Sequence, residues 1–314
     1  MKKKLVAGAV TLLSVVTLAA CTNGTNKDIV TMKGDTITVS DFYDEIKTNQ
    51  GAQQVLFQMT INKVFEKEYG SKVSDKEVDK ELAKQKKQLG KQFDAYLAQQ
   101  GLTEETAKKQ IRSNMLLEYA VNQAAKKDIK ESDYKAAFES YTPEVTAQII
   151  KLDSEDKAKE VLEAAKAEGA DFAQIAKDNS TDTATKDKGG EVKFDSGTAD
   201  IPSQVKEAAF KLDENGISDV ITVSAGQNYS ASYYIVKLNK KTEKGSDWKK
   251  YEKRLKEIIV DGRKQDTNYI RSIIAKAMTN ANIKVKDDAF KSTFNQYLQN
   301  IGVETSDSSS SSKK

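Results

Sequence analysis

The sequence predicts an α+β fold, a small sheet with surrounding helices inserted in a discontinuous all-α domain, and three observations lead there. Apolar residues recur at helical spacing for roughly a hundred residues before Pro143 and again after Lys241, while the segment between alternates strand-like and helical runs. Thr142-Pro143 marks the change, because proline biases its predecessor towards extended backbone and ends a helix. The helices on either side of the insertion cannot easily bury their stripes alone, so the flanks are expected to fold together. The boundaries then fall at 1–20 (a leader), 21–142 and 242–301 (the two helical parts), 143–241 (the inserted unit) and 302–314 (a Ser-rich tail).

Taken in order, DIVTMKGDTITVSDFYDEI reads as two strands about a turn at Gly34-Asp35, then a helix starting near Ser40. Ser74 and Glu77 form a capping box, after which Val78, Leu82, Leu89, Phe93 and Leu97 mark one buried stripe ended by Gly101. Thr103 caps the next helix, with Ile111, Leu116 and either Tyr119 or Ala120 inward, and Ser132 is expected to cap another. Inside the insertion the spacing predicts strands at 145–152, 191–194, 219–223 and 232–238, and helices at about 155–167, 171–177 and 203–211. Helix is expected to return from 242 to Ile283 and again from Asp287 to Gln299, before a low-complexity SDSSSSSKK end.

On the strand 145–152, Gln148 shares a face with Ile150 and Leu152, an amide among apolar neighbours. There is no histidine in the chain, which removes the commonest general base and the commonest transition-metal ligand. No GxGxxG or GxxxxGK[ST] run is present, so no phosphate cradle, cofactor or metal is implied. The 50 basic and 47 acidic residues balance once Lys2, Lys3 and Lys4 are set aside with the leader, and nothing argues for nucleic acid. That leader has a basic start, an apolar run from Leu5 to Ala20 and small residues before the single cysteine, Cys21. Leu18-Ala19-Ala20-Cys21 resembles a bacterial lipobox, which implies lipidation of Cys21 and a chain tethered outside the membrane.

The order TAQII, DFAQIAKDNSTD, KGGEVKF, AAFKLDENGISDV and SYYIVKL resembles a parvulin-type peptidyl-prolyl isomerase domain. With the flanking helices and lipobox, essentially the whole chain is similar to the lipid-anchored extracellular foldases of Gram-positive bacteria. The resemblance places Gln148 and Tyr234 where active parvulins usually carry a pair of histidines, and Asp182 where they carry Cys or Asp beside the substrate proline. It puts the proline pocket at Val192, Phe194, Ile201 and Val205. Gln148 and Tyr234 are expected to form a donor–acceptor pair across neighbouring strands, shaping the pocket floor near Asp182.

The function implied is post-translocational folding of unfolded or partly folded secreted proteins through their Xaa-Pro segments, and a homodimer is compatible with it. Loss of both histidines and of an aromatic pocket wall at Val205 predicts weak or absent isomerase activity in isolation. A non-catalytic holdase is the alternative; a lipid-anchored solute receptor is disfavoured because only one small α+β unit is visible. Phe42, Tyr43, Phe57, Met59, Phe65, Tyr69 and Tyr96 are read either as core or as the lining of a client cleft, and the Lys-rich run Lys249, Lys250, Lys253, Arg254 and Lys256 as a solvated face.

Overall fold

The computed structural model describes residues 27–224 and 231–298. The leader, Cys21 and the Ser-rich tail lie outside the described residues.

In chain order the elements are β1 (Asp28–Met32), β2 (Asp35–Thr38), α1 (Val39–Ile46), α2 (Gln50–Tyr69), α3 (Asp75–Leu89), α4 (Phe93–Gln99), α5 (Glu104–Lys127) and α6 (Glu131–Ser140). Next come β3 (Val145–Leu152), α7 (Glu155–Lys166), α8 (Phe172–Asn179), β4 (Glu191–Phe194), α9 (Ser203–Lys211), β5 (Ile221–Val223) and β6 (Ser232–Lys240). The chain returns to helix as α10 (Glu252–Gln265), α11 (Thr267–Asn280) and α12 (Lys291–Leu298).

Local chemistry sets most boundaries. Ser74 accepts from the Glu77 amide at 3.3 Å while Glu77 accepts from the Ser74 amide at 2.7 Å, so the expected capping box starts α3. Thr38 and Asp41 do the same for α1. Ser132 does not cap α6: the Lys130 amide donates to the Asp133 carboxylate at 2.8 Å, and the helix begins at Glu131. The stripe from Val78 to Leu97 is broken by a 3₁₀ turn at Gly90–Gln92, where Gly90 has φ +52°. The helix expected from 242 to 283 is likewise two, because Asp266 turns out to extended backbone and its carboxylate accepts the Asn268 amide at 2.8 Å.

The described residues form two compact units, one from residues 27–70 and 274–298 and the other from 71–224 and 231–273. In the first, α12 packs on α2 through Phe57, whose ring lies 5.4 Å from Phe294 and 4.4 Å from Tyr297. In the second, α3 and α10 pack on α5, and α10 also on α6. Tyr134 stacks on Trp248 at 5.0 Å and Phe138 on Tyr251 at 5.7 Å, which returns the chain leaving β6 to the helix that precedes β3. The second unit groups α3 to α6 and α10 with the sheet.

The sheet runs β4-β3-β6-β5, with every pair antiparallel. One face carries Ile150, Leu152 and Ile235 against Val161 of α7 and Phe172 of α8. The other carries Ala147, Ile149, Val236 and Leu238 with Val205 and Ala209 of α9.

Candidate functional site

Gln148 stands on the α8-covered face, as strand alternation requires, and its amide has a specific partner. Gln148 Nε2 donates to the Gly189 carbonyl at 2.9 Å, while the Ile149 amide donates to the Gly190 carbonyl at 2.8 Å. Both glycines have positive φ, +67° and +78°. A Cβ on Gly189 would stand 2.7 Å from that of Ala173, and one on Gly190 would stand 2.5 Å from the Ile149 carbonyl oxygen. The double glycine is thus demanded by a loop threaded between β3 and α8, and Gln148 ties that loop to the sheet.

Asp182 belongs to the same loop. Its Oδ2 accepts the Thr185 hydroxyl at 2.6 Å and its Oδ1 accepts the Ala184 amide at 3.1 Å, while the Thr185 carbonyl accepts the Gly190 amide at 2.9 Å. Gln148 and Asp182 are therefore joined through one hydrogen-bonded loop, and both carboxylate oxygens are occupied within it.

Tyr234 is elsewhere. Gln148 is in register with Lys237, whereas Tyr234 is in register with Lys151 on β3 and Ile221 on β5. Directly opposed residues share a face, so Gln148 and Tyr234 project to opposite sides. The expected donor–acceptor pair does not form. Tyr234, Val192 and Ile201 are half-buried and each packs against the α9-face core, but Val192 is in register with Ala147 and Tyr234 with Lys151, four residues along β3, so they lie along an extended apolar surface rather than in one shared pocket. Phe194 and Val205 do not line it: at 1% and 0% exposure they are core, wedged under that surface where they support the wall. The face offers apolar contact and one phenol. That chemistry suits desolvation of a tertiary Xaa-Pro amide, whose rotation transfers no proton.

A second surface lies in the unit made from the chain ends. Tyr43 and Ile46 of α1, Val55 and Met59 of α2, and Val285 and Phe290 line a groove of about 850 Å³. Val55 and Met59 are 60% and 51% exposed. Of the aromatic candidates, Phe65 is core, Phe57 and Tyr69 are half-buried, and Phe42, Tyr43 and Tyr96 are exposed.

Residues 141–240 match the PPIC-type PPIase domain, or rotamase, family. Foldase protein PrsA of Streptococcus sanguinis strain SK36 is 62% identical over 302 residues, covering 96% of this chain and 90% of that one. The chain belongs to the PrsA foldase family. A PrsA of Streptococcus gordonii strain Challis is 61% identical over the full length of both chains. The crystal structure of foldase protein PrsA from Streptococcus pneumoniae strain Canada MDR_19A matches with a TM-score of 0.78 at 55% identity, over 86% of this chain and 99% of that one. The PrsA assignment makes the sheet and its helices the parvulin domain within the helical sequence, and leaves the geometry to say what that domain does here. Sequence reasoning missed Asp195, buried at the end of β4; the run Asp-Ser-Gly-Thr at 195–198, a turn signature after an apolar strand, was the signal available.

Proposed function

We propose that this PrsA-family chain is a lipid-anchored foldase on the outer face of the cell membrane. It holds unfolded or partly folded secreted proteins in the apolar groove beside α2, while the parvulin domain binds Xaa-Pro segments and turns them over slowly or not at all. The observation that carries this reading is where apolar surface is left open. Of nine large hydrophobic side chains exposed among the described residues, eight lie between Ile29 and Met59. Such a concentration marks an interaction surface rather than ordinary exposure. Lipidation of Cys21 supplies the anchor, each buried methylene contributing about 0.8 kcal/mol. The test is suppression of aggregation of an unfolded secreted protein by the full chain. Val55→Asp with Met59→Asp is expected to abolish suppression while the helical content stays; unchanged suppression would refute the groove. Release from the membrane fraction by Cys21→Ala tests the anchor.

The reading as a holdase without catalysis is favoured by a specific observation: the Gln148 amide and both Asp182 oxygens are engaged in the loop they stabilise. Cis-to-trans relaxation of a proline tetrapeptide decides between the two. A large acceleration that vanishes in Tyr234→Phe or Ile201→Asp supports turnover on the α9 face; no acceleration supports the holdase.

A further inference from the structure

Asp195 ends β4 and is 6% exposed, yet its two oxygens take five hydrogen bonds. Arg254 of α10 grips it with both arms, Nε to Oδ2 at 2.6 Å and Nη2 to Oδ1 at 2.8 Å. Tyr141 donates its hydroxyl to Oδ2 at 3.1 Å. The Gly197 amide and Thr198 hydroxyl donate to Oδ1 at 3.0 and 3.1 Å. Lys206 then closes the loop from the other side, donating to the Ser196 carbonyl at 2.9 Å and the Thr198 carbonyl at 2.6 Å. Gly197 lies so close to α10 that a Cβ there would collide with the Ile258 side chain. Paired, planar and saturated, this contact fixes direction as well as distance.

The clamped loop is the one that leads to Ile201 and the start of α9, and Ile201 packs against the same core cluster as Tyr234 and Val192. We infer that Arg254 is a positioning residue: by holding the loop 195–198 on α10 it sets the Ile201 wall of the peptide-facing surface, so the flanking helix is part of that site. The inference rests on the reading of the α9 face as the Xaa-Pro surface.

Two readouts on the full chain separate the two ideas: amide hydrogen exchange over residues 196–205, and the affinity of a proline tetrapeptide followed by the methyl resonances of Val192 and Ile201. Arg254→Ala is expected to raise exchange across 196–205 with β3 and β6 unchanged, and to weaken peptide binding about tenfold, the scale of one charged hydrogen bond. Arg254→Lys keeps the charge but not the fork, serves as the second variant should the alanine change prevent folding, and is expected to fall between. Val192→Asp is expected to abolish peptide binding without altering exchange at 196–205. Aggregation suppression through the groove beside α2 is expected to be untouched by Arg254→Lys. Wild-type exchange over 196–205 in both arginine variants overturns the inference, as does exchange that rises equally in β3 and β6, the mark of general destabilisation. A wild-type chain that binds no tetrapeptide sinks the peptide-surface reading instead, and the exchange pattern alone then decides whether Arg254 holds the loop.

Discussion

Gln148 and Tyr234, the two residues that the family resemblance sets where active parvulins usually carry histidine, lie on opposite faces of one sheet: Gln148 is paired in register with Lys237 and Tyr234 with Lys151. Neither can satisfy the other. A double-mutant cycle between Gln148→Ala and Tyr234→Phe is therefore expected to give a coupling below about 0.5 kcal/mol, the additivity found for independent sites. Gln148→Ala alone is expected to cost about 1–2 kcal/mol, because it leaves the Gly189 carbonyl without its donor. Chemical denaturation measures both.

Gly190 is expected to tolerate no side chain. Gly190→Ala places a methyl against the Ile149 backbone and forces an L residue to φ +78°. A loss of about 3 kcal/mol is expected from strain and displaced strand hydrogen bonds together. Gly34→Ala, in a hairpin turn with open space around it, is expected to cost about 1 kcal/mol. Thermal unfolding of the two variants compares them.

Asp182→Ala is expected to act on the loop before it acts on any chemistry. Removing the acceptor for the Thr185 hydroxyl and Ala184 amide costs about 1–2 kcal/mol of local stability. Hydrogen exchange at residues 182–190 should rise accordingly, and any tetrapeptide turnover should fall less than it does in Ile201→Asp.

The Asp195–Arg254 contact makes stability depend on acid in a defined direction. Burial opposes ionisation of Asp195, but the Arg254 guanidinium and the surrounding donors outweigh it and hold the carboxyl below its ordinary value. A carboxyl whose folded pKa is depressed adds stability above its unfolded pKa, near 4, and loses it as pH falls through the lower folded value. Asp195→Asn is expected to cost about 3 kcal/mol at pH 7, the low end for a broken buried pair because Arg254 is one-third exposed. The gap between wild type and variant should close on acidification below pH 4. Tyr141 adds a change at the other end: burial, then the Asp195 charge, raise its hydroxyl pKa, so its contribution is present below pH 10 and is lost as pH climbs beyond it. Denaturant midpoints across pH 2.5–11 read both limbs.

Much of the sheet domain was legible in the residues. Strands 145–152 and 191–194 and the helix 203–211 fall where their periodicity placed them, because alternation and helical spacing are local signals. The breaks at Gly90 and Asp266 were not legible: the apolar stripe continues through both, and only the side-chain and backbone geometry on the spot interrupts it. The site was legible in part. Val192, Ile201 and Tyr234 share the α9 face, whereas Phe194 and Val205 read as pocket lining because apolar character does not distinguish a wall from its support. Arg254 read as one more cation on a Lys-rich face, since its partner lies 59 residues away.

By itself the sequence determined most of the alternation of strands and helices, the caps at Ser74 and Thr103, the absence of imidazole and the family resemblance. All of these are carried by residues within a few positions of one another. Only the tertiary structure decided which face each polar side chain takes, that Gln148 serves a glycine carbonyl, that Asp182 is spent on its own loop, and that Asp195 is gripped from α10. Those outcomes depend on strand register and on contacts between distant segments, where a one-residue slip reverses every side chain and no local pattern records the partner.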